Sequence, residues 1–355
     1  MKTENNKKDT SMNLKKLLAT SSLMLSLGAL PAFAATEMRV ATWLPPTHPQ
    51  NTDVLPTWGK WIEEATEGRV TLKLEYNMGH PKDMFALVED GVVDASWTFH
   101  GYVPGRFRLT QIVEQPGLGA DAEAASVAYW RVYEKYFTKA NEHDGLELMG
   151  LFTHAPGQIQ TANPISSLAD LRGMKIRLGG GIQGELGGRM EVTPVNAPAS
   201  KVYEMMQQGV IDGTFLPVCE QKTLRLSEVA PNLTLLPGGM YLGSFAIFAN
   251  PDFLDSLDPK DKEAIMKVSG EKLSQMAGQV WDQCGVDALK ASREAGVNVV
   301  EVGQNDPMAK QFQTLSEGMD KVWIQSVSDL DVDAEKALQE LRDTARNYKP
   351  NVAAN

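Results

Sequence analysis

Residues 207–215 read QQGVIDGTF, and residues 89–97 read EDGVVDASW. Each copy of Gly-Val-(Val/Ile)-Asp follows a stretch with helical spacing, PKDMFALVEDG in the first case and ASKVYEMMQQG in the second. In both, the glycine can supply the left-handed residue that ends a helix, and an apolar strand begins directly after it. A strand also precedes each helix, RVTLKLEY (69–76) in the first half and MKIRLG (174–179) in the second. Short apolar strands alternating with helices imply parallel strands covered on both faces. The repeat therefore predicts two similar α/β lobes. The aromatic closing each copy, Trp97 or Phe215, is expected at the carboxyl end of a strand, where open α/β sheets bind ligands. Both are accordingly expected to face a cleft shared by the lobes.

Outside the repeat, MRVATW (38–43) reads as a buried first strand, and LPPTHP (44–49) is kept from helix by its three prolines. Residues 51–67 place Leu55, Trp58, Ile62 and Ala65 on one helical face before Gly68. Between Asp258, a capping residue followed by Pro259, and Gly296, apolar residues recur every three to five positions. An unbroken helix of that length would run roughly 50 Å, longer than one lobe is wide, and could bridge the two. A further amphipathic helix is expected at about 331–347.

The first 34 residues carry Lys15 and Lys16, an apolar run from Leu17 to Leu30, and Ala32-Phe33-Ala34. That order is the pattern of a cleaved secretory leader, so the chain is expected to be exported with Ala35 as its new N-terminus. The leader's five lysines against Glu4 and Asp9 give it net +3, so the whole-chain charge of −11 becomes −14 without it. An acidic chain of this kind repels nucleic acid and anionic lipid. Cys219 and Cys284 are the two cysteines. Exported, they could pair, but two distant cysteines are not a disulfide framework.

Several motifs invite an enzyme without supporting one. GGGIQG (179–184) fits G-x-G-x-x-G but lies mid-chain, with Pro194 and Pro198 where an acidic strand end should follow. The reading is a flexible loop exposing its backbone, and no nucleotide cofactor is expected. His48, His80, His100, His143 and His154 show no metal-binding spacing, and no G-x-S-x-G elbow is present. His48 and His154 each follow an apolar strand and are of interest for that reason. Arg177 stands out, because it interrupts the otherwise apolar strand KIRLG. A guanidinium there can hold a carboxylate through two parallel hydrogen bonds, which a lysine cannot copy.

The stretch PISSLADLRGMKIR, followed by VTPVNAPASKVYEMMQQGVIDGTFLP, resembles the solute-binding proteins of TRAP transporters, the DctP family. That resemblance implies a two-lobed periplasmic-binding-protein-like fold with a long bridging helix. It also implies a cleft that closes on a small organic acid, and membrane subunits of a TRAP transporter as partners. With it go a leader over 1–34, mainly first lobe over 35–155, mainly second lobe over 156–250, and bridging and C-terminal helices returning to the first lobe over 251–355. A periplasmic monomer without catalysis, cofactor, metal or nucleic acid is expected. The family's carboxylate-binding arginine matches Arg177. A second arginine of the sialic-acid-binding branch would fall at about Gly157, an aromatic before the helix is replaced by Ala199, and an asparagine before Pro217 by Leu216. These departures remove polar anchors and open space. The expected ligand is a carboxylate with an apolar or aromatic body, walled by Trp43, Trp97, Phe215 and Tyr241, with His154 and Glu220 nearby. A small amine or zwitterion held by Glu220 or Glu114 is the alternative, as is a sensory role in place of transport, and an exported enzyme is a more distant one.

Overall fold

Gly91 and Gly209 adopt φ of 65° and 66°, and the two repeat segments make the same hydrogen bonds. Asp94 donates its N–H to the Arg39 carbonyl (3.0 Å), and its carboxylate accepts from Arg39 N–H (2.6 Å). Asp212 donates to the Lys175 carbonyl (2.7 Å) and accepts from Lys175 N–H (2.8 Å). In each lobe the aspartate thus fastens the neighbouring parallel strand, and the glycine ends the preceding helix. The sequence repeat is a structural repeat.

The computed structural model describes residues 1–2 and 35–350; the expected leader and its cleavage point lie outside the described residues. In the first sheet stand β1 (Thr36–Thr42), β2 (Val70–Tyr76), β3 (Ala95–Phe99), β4 (Glu147–Thr153) and, from much later in the chain, β10 (Ser244–Ala249). In the second stand β5 (Gly157–Thr161), β6 (Lys175–Leu178), β7 (Thr193–Asn196), β8 (Gly213–Pro217), β9 (Asn232–Leu235) and β11 (Asn298–Glu301). The orders are β2-β1-β3-β10-β4 and, from the opposite edge, β7-β6-β8-β5-β9-β11. The three leading strands of each sheet are parallel. The fourth, β10 or β5, is antiparallel to both neighbours.

The strands of the repeat pair in parallel as expected, and β10 and β5 depart from that pattern. The antiparallel strands are those on which the chain arrives from the other lobe, through residues 154–156 into β5 and through 236–243 into β10. The two crossings lie side by side. Gly157 N–H donates to Tyr241 O, and Met240 N–H to Gly157 O, each at 2.9 Å.

The helical region at 258–296 is not continuous. It divides into Pro259–Lys267 and Glu271–Glu294 at Gly270, whose φ is 67° and whose N–H donates to Met149 O of β4. The 24-residue second part, about 36 Å long at 1.5 Å per residue, lies against the helix Ala122–Val132. At their crossing a Cβ on Gly278 would stand 2.4 Å from the Ala122 carbonyl oxygen, so only glycine lets the backbones meet. One turn on, the Asp282 carboxylate accepts from Ala122 and Glu123 N–H, each at 2.9 Å. Negative charge at that helix N-terminus is favourable, although burial raises its pKa to about 6.

Cys284 of the long helix is bonded to Cys219, at the start of the short helix Cys219–Thr223 that follows β8. After the long helix the chain adds β11 to the second sheet, a strand absent from the expected run of C-terminal helices. Met308 and Phe312 of the helix Pro307–Ser316 join the second sheet's core. The helix Ala334–Asn347 returns to the first, burying Leu338 and Leu341 beside Tyr129.

Candidate functional site

Where the sheets' carboxyl ends face one another, side chains from both lobes line a narrow cavity of about 20 Å³, on the order of the space one water needs. Trp43, Phe99, Tyr102 and Phe245 line it from the first lobe, and Arg177, Leu216 and Glu220 from the second. His154 and Tyr241 come from the crossings, and Trp281 from the long helix. The lining is mostly aromatic, with a few polar groups converging on it.

Arg177 is only 1% exposed. Its Nε donates to Ala197 O (2.7 Å) and its Nη2 approaches the Tyr102 hydroxyl (3.4 Å), while Nη1 is buried without a partner among the described residues. No carboxylate lies within 4.0 Å of the guanidinium among those residues. A buried charge of this kind is costly unless paired. The Tyr102 hydroxyl also accepts from Ala199 N–H at 2.9 Å. With both lone pairs used, its proton is the group left to donate. Burial raises the Tyr102 pKa, which keeps that proton on. Arg177 and Tyr102 together offer a fork of donors to one oxyanion.

Of the seven residues singled out in the sequence, Arg177, Trp43, His154, Tyr241 and Glu220 line the cavity; Trp97 and Phe215 do not. Trp97 lies one layer behind, fully buried, with its ring 5.0 Å from that of Trp43 and its carbonyl accepting from Trp43 Nε1 (3.0 Å). Two residues further along the same face, Phe99 occupies the position expected of Trp97. Phe215 points to the opposite face of β8, into a core with Ile159, Leu178 and Met240. Successive strand side chains alternate, so Leu216 faces the ligand space instead. Tyr102, Phe99, Phe245 and Trp281 line the cavity without being marked in the sequence, and Leu216, where the resemblance implies a lost polar anchor, lines it as well.

His154 is buried, its Nδ1 2.6 Å from Ala155 O, and burial lowers its pKa to about 4. It is therefore a neutral wall. Glu220 accepts from the Thr223 hydroxyl (2.6 Å), and its other oxygen lies 3.5 Å from His48 Nε2. His48, Cys219 and Glu220 are the one group among the described residues whose ligand atoms gather closely enough for a metal. The Cys219 sulfur, however, is committed to its disulfide.

The glycines of GGGIQG serve a contact between the lobes. A Cβ on Gly180 (φ 100°) would stand 2.2 Å from the carbonyl oxygen of Gly101 in the other lobe, so glycine permits the lobes to meet backbone to backbone. Beside this contact Glu114 reaches across. It accepts from Ile182 N–H (2.9 Å), at the start of the helix Ile182–Arg189, and from the Ser244 hydroxyl (2.6 Å).

Burial outweighs these hydrogen bonds and raises the Glu114 pKa from 4.5 to about 7. Between those values the folded protein holds a proton that the unfolded chain has released. The associated stability is complete below about pH 4.5 and is lost as pH rises through 7, roughly 1.4 kcal/mol per unit and about 3 kcal/mol in all. Asp282 and His154 titrate in overlapping ranges, so the comparison of wild type with Glu114→Gln isolates Glu114. In urea unfolding at pH 5 and pH 8, the variant should lose markedly less stability on going to pH 8. Equal losses would remove Glu114 from the account.

The family described as bacterial extracellular solute-binding protein, family 7 (DctP) matches over residues 40–327. A Comamonas testosteroni protein named outer membrane transporter protein TsaT is 28% identical over 347 residues, covering 97% of this chain and 100% of that one. A TRAP periplasmic solute-binding protein from Bordetella bronchiseptica, solved with bound (R)- and (S)-mandelate, is 33% identical with a TM-score of 0.84; the match covers 88% of this chain and 99% of that one. A marine metagenome TRAP solute-binding protein specific for aromatic acid ligands, solved with 3-hydroxybenzoate, is 28% identical with a TM-score of 0.82, covering 89% and 99%.

Proposed function

The chain belongs to the DctP family of bacterial extracellular solute-binding proteins, and from that premise we propose that it captures an aromatic monocarboxylate between its lobes. The observation that carries this reading is the buried Arg177 guanidinium, fixed by Ala197 and Tyr102 with Nη1 unpartnered at an aromatic-lined cavity. The carboxylate sits on Arg177 and Tyr102, and the ring lies among Trp43, Phe99 and Phe245. The aromatic acids bound by the Bordetella and marine relatives support the same class. An amine held by Glu114 is less well supported, since that carboxylate is already engaged by Ile182 and Ser244.

The mature protein begins at about Ala35, works in the periplasm as a monomer, and hands its ligand unchanged to the membrane subunits of a TRAP transporter. Thermal unfolding of the protein from Ala35 tests the ligand class. Aromatic monocarboxylates at 100 times their Kd stabilise by about 2.7 kcal/mol, enough to raise Tm by a few degrees. The corresponding uncharged amides should give no shift. Shifts from amides or amines alone would overturn the carboxylate reading.

A further inference from the structure

We propose that the cavity has a second polar pole, formed by Glu220 and Trp281 with His48 behind them, which reads a hydroxyl on the ligand. The inference rests on the carboxylate reading above and deepens it. Glu220 and Trp281 are 61 residues apart in sequence, but the Cys219–Cys284 bond holds their helices together, with the two cysteine Cα atoms 5.1 Å apart. Glu220 is one residue from one end of that bond, and Trp281 is three residues, nearly one helical turn, from the other. Both line the cavity and both are almost fully buried.

Neither has its hydrogen bonding completed by the protein. Trp281 Nε1–H is buried with no acceptor among the described residues. On Glu220, Oε2 takes the Thr223 hydroxyl, whereas Oε1 has only His48 Nε2 at 3.5 Å, too long for a good hydrogen bond. His48 Nδ1 accepts from Gln50 N–H (3.2 Å), so the ring proton sits on Nε2 and points toward Glu220. The His48 ring also lies edge-on against Trp281, with centroids 5.0 Å apart. Around one imidazole the cavity lining therefore holds an unmatched donor and an under-used acceptor.

A hydroxyl satisfies both, accepting from the indole N–H and donating to the carboxylate. A hydrogen or methyl satisfies neither, and an ammonium donates without accepting. Buried polar groups are ordinarily matched, and a site built to bond a hydroxyl rejects the analogue that lacks one. The preferred ligands are hydroxylated aromatic acids, with Glu220 and Trp281 setting the preference.

Isothermal titration of the protein from Ala35 with benzoate, 3-hydroxybenzoate, 4-hydroxybenzoate and 3-(aminomethyl)benzoate tests this. At least one hydroxybenzoate should bind about 10- to 100-fold more tightly than benzoate. That ratio should fall to about one in Glu220→Gln and in Trp281→Phe. The wild-type series decides the matter even if a variant does not fold. Equal affinity for benzoate and its hydroxylated forms overturns the second pole, as does a ratio that persists in both variants. Tightest binding of the aminomethyl compound overturns the hydroxyl in favour of a cation. Binding of none of the four acids overturns the carboxylate reading itself, and this inference with it.

Discussion

Arg177→Ala should lose capture of the aromatic acid by 30- to several-thousand-fold, because removing one member of a buried, hydrogen-bonded charge pair costs about 2–5 kcal/mol. Arg177→Lys should lose much of the same affinity. A single ammonium cannot reach Ala197 O and Tyr102 while presenting two parallel donors to a carboxylate. The fold should survive both changes. Among the described residues the guanidinium has no anionic partner, so Arg177→Met trades its hydrogen bonds to Ala197 and Tyr102 for relief from burying a charge. Its unfolding temperature should stay within a few degrees of wild type, while the ligand-induced rise disappears. Titration calorimetry and thermal unfolding on the three variants check both halves. Affinity retained in Arg177→Ala would remove the anchor.

Replacing both cysteines, Cys219→Ala with Cys284→Ala, should lower stability by about 4 kcal/mol. The bond closes a loop with a sequence separation of 65 residues, and the chain-entropy account gives that magnitude for such a loop. In a protein of this size the change amounts to roughly 5–10 °C in Tm. Affinity should fall as well, because the bond aligns Glu220 and Trp281 on the cavity wall. A Tm within 1–2 °C of wild type, in the absence of reductant, would mean that packing between the two helices suffices without the bond.

Local patterns in the sequence were enough to show the architecture of the lobes. A glycine that must adopt positive φ, an aspartate that fastens the next strand and an apolar run are all contiguous, and each was written twice. Arg177 was legible for a similar reason, as a charge placed inside an apolar strand. The rest of the site depends on contacts that sequence spacing does not carry. Tyr102 meets Arg177 and Ala199 from 75 and 97 residues away. β3 and β8 are buried on both faces, so no alternation marks which side of β8 meets the ligand. Leu216 and Phe215 look equally apolar in the sequence, and the strand's two-residue period separates them. How far along a strand the cavity begins is likewise unwritten, which is why Phe99 and not Trp97 reaches it. The cysteine pairing depended on two helices meeting, and the antiparallel strands on where the chain crosses between lobes.

The position of β10 has a consequence for how the chain folds. It fills the gap between β3 and β4 in the first sheet, yet it is synthesised after nearly all of the second lobe. Until residues 244–249 arrive, the first sheet is two separate pieces with facing unpaired edges, β3 on one and β4 on the other. Contacts between distant parts of a chain form slowly, because loop closure must precede their reward. The N-terminal half therefore has no complete domain to settle into while the remainder is still being made, and neither lobe finishes before the other.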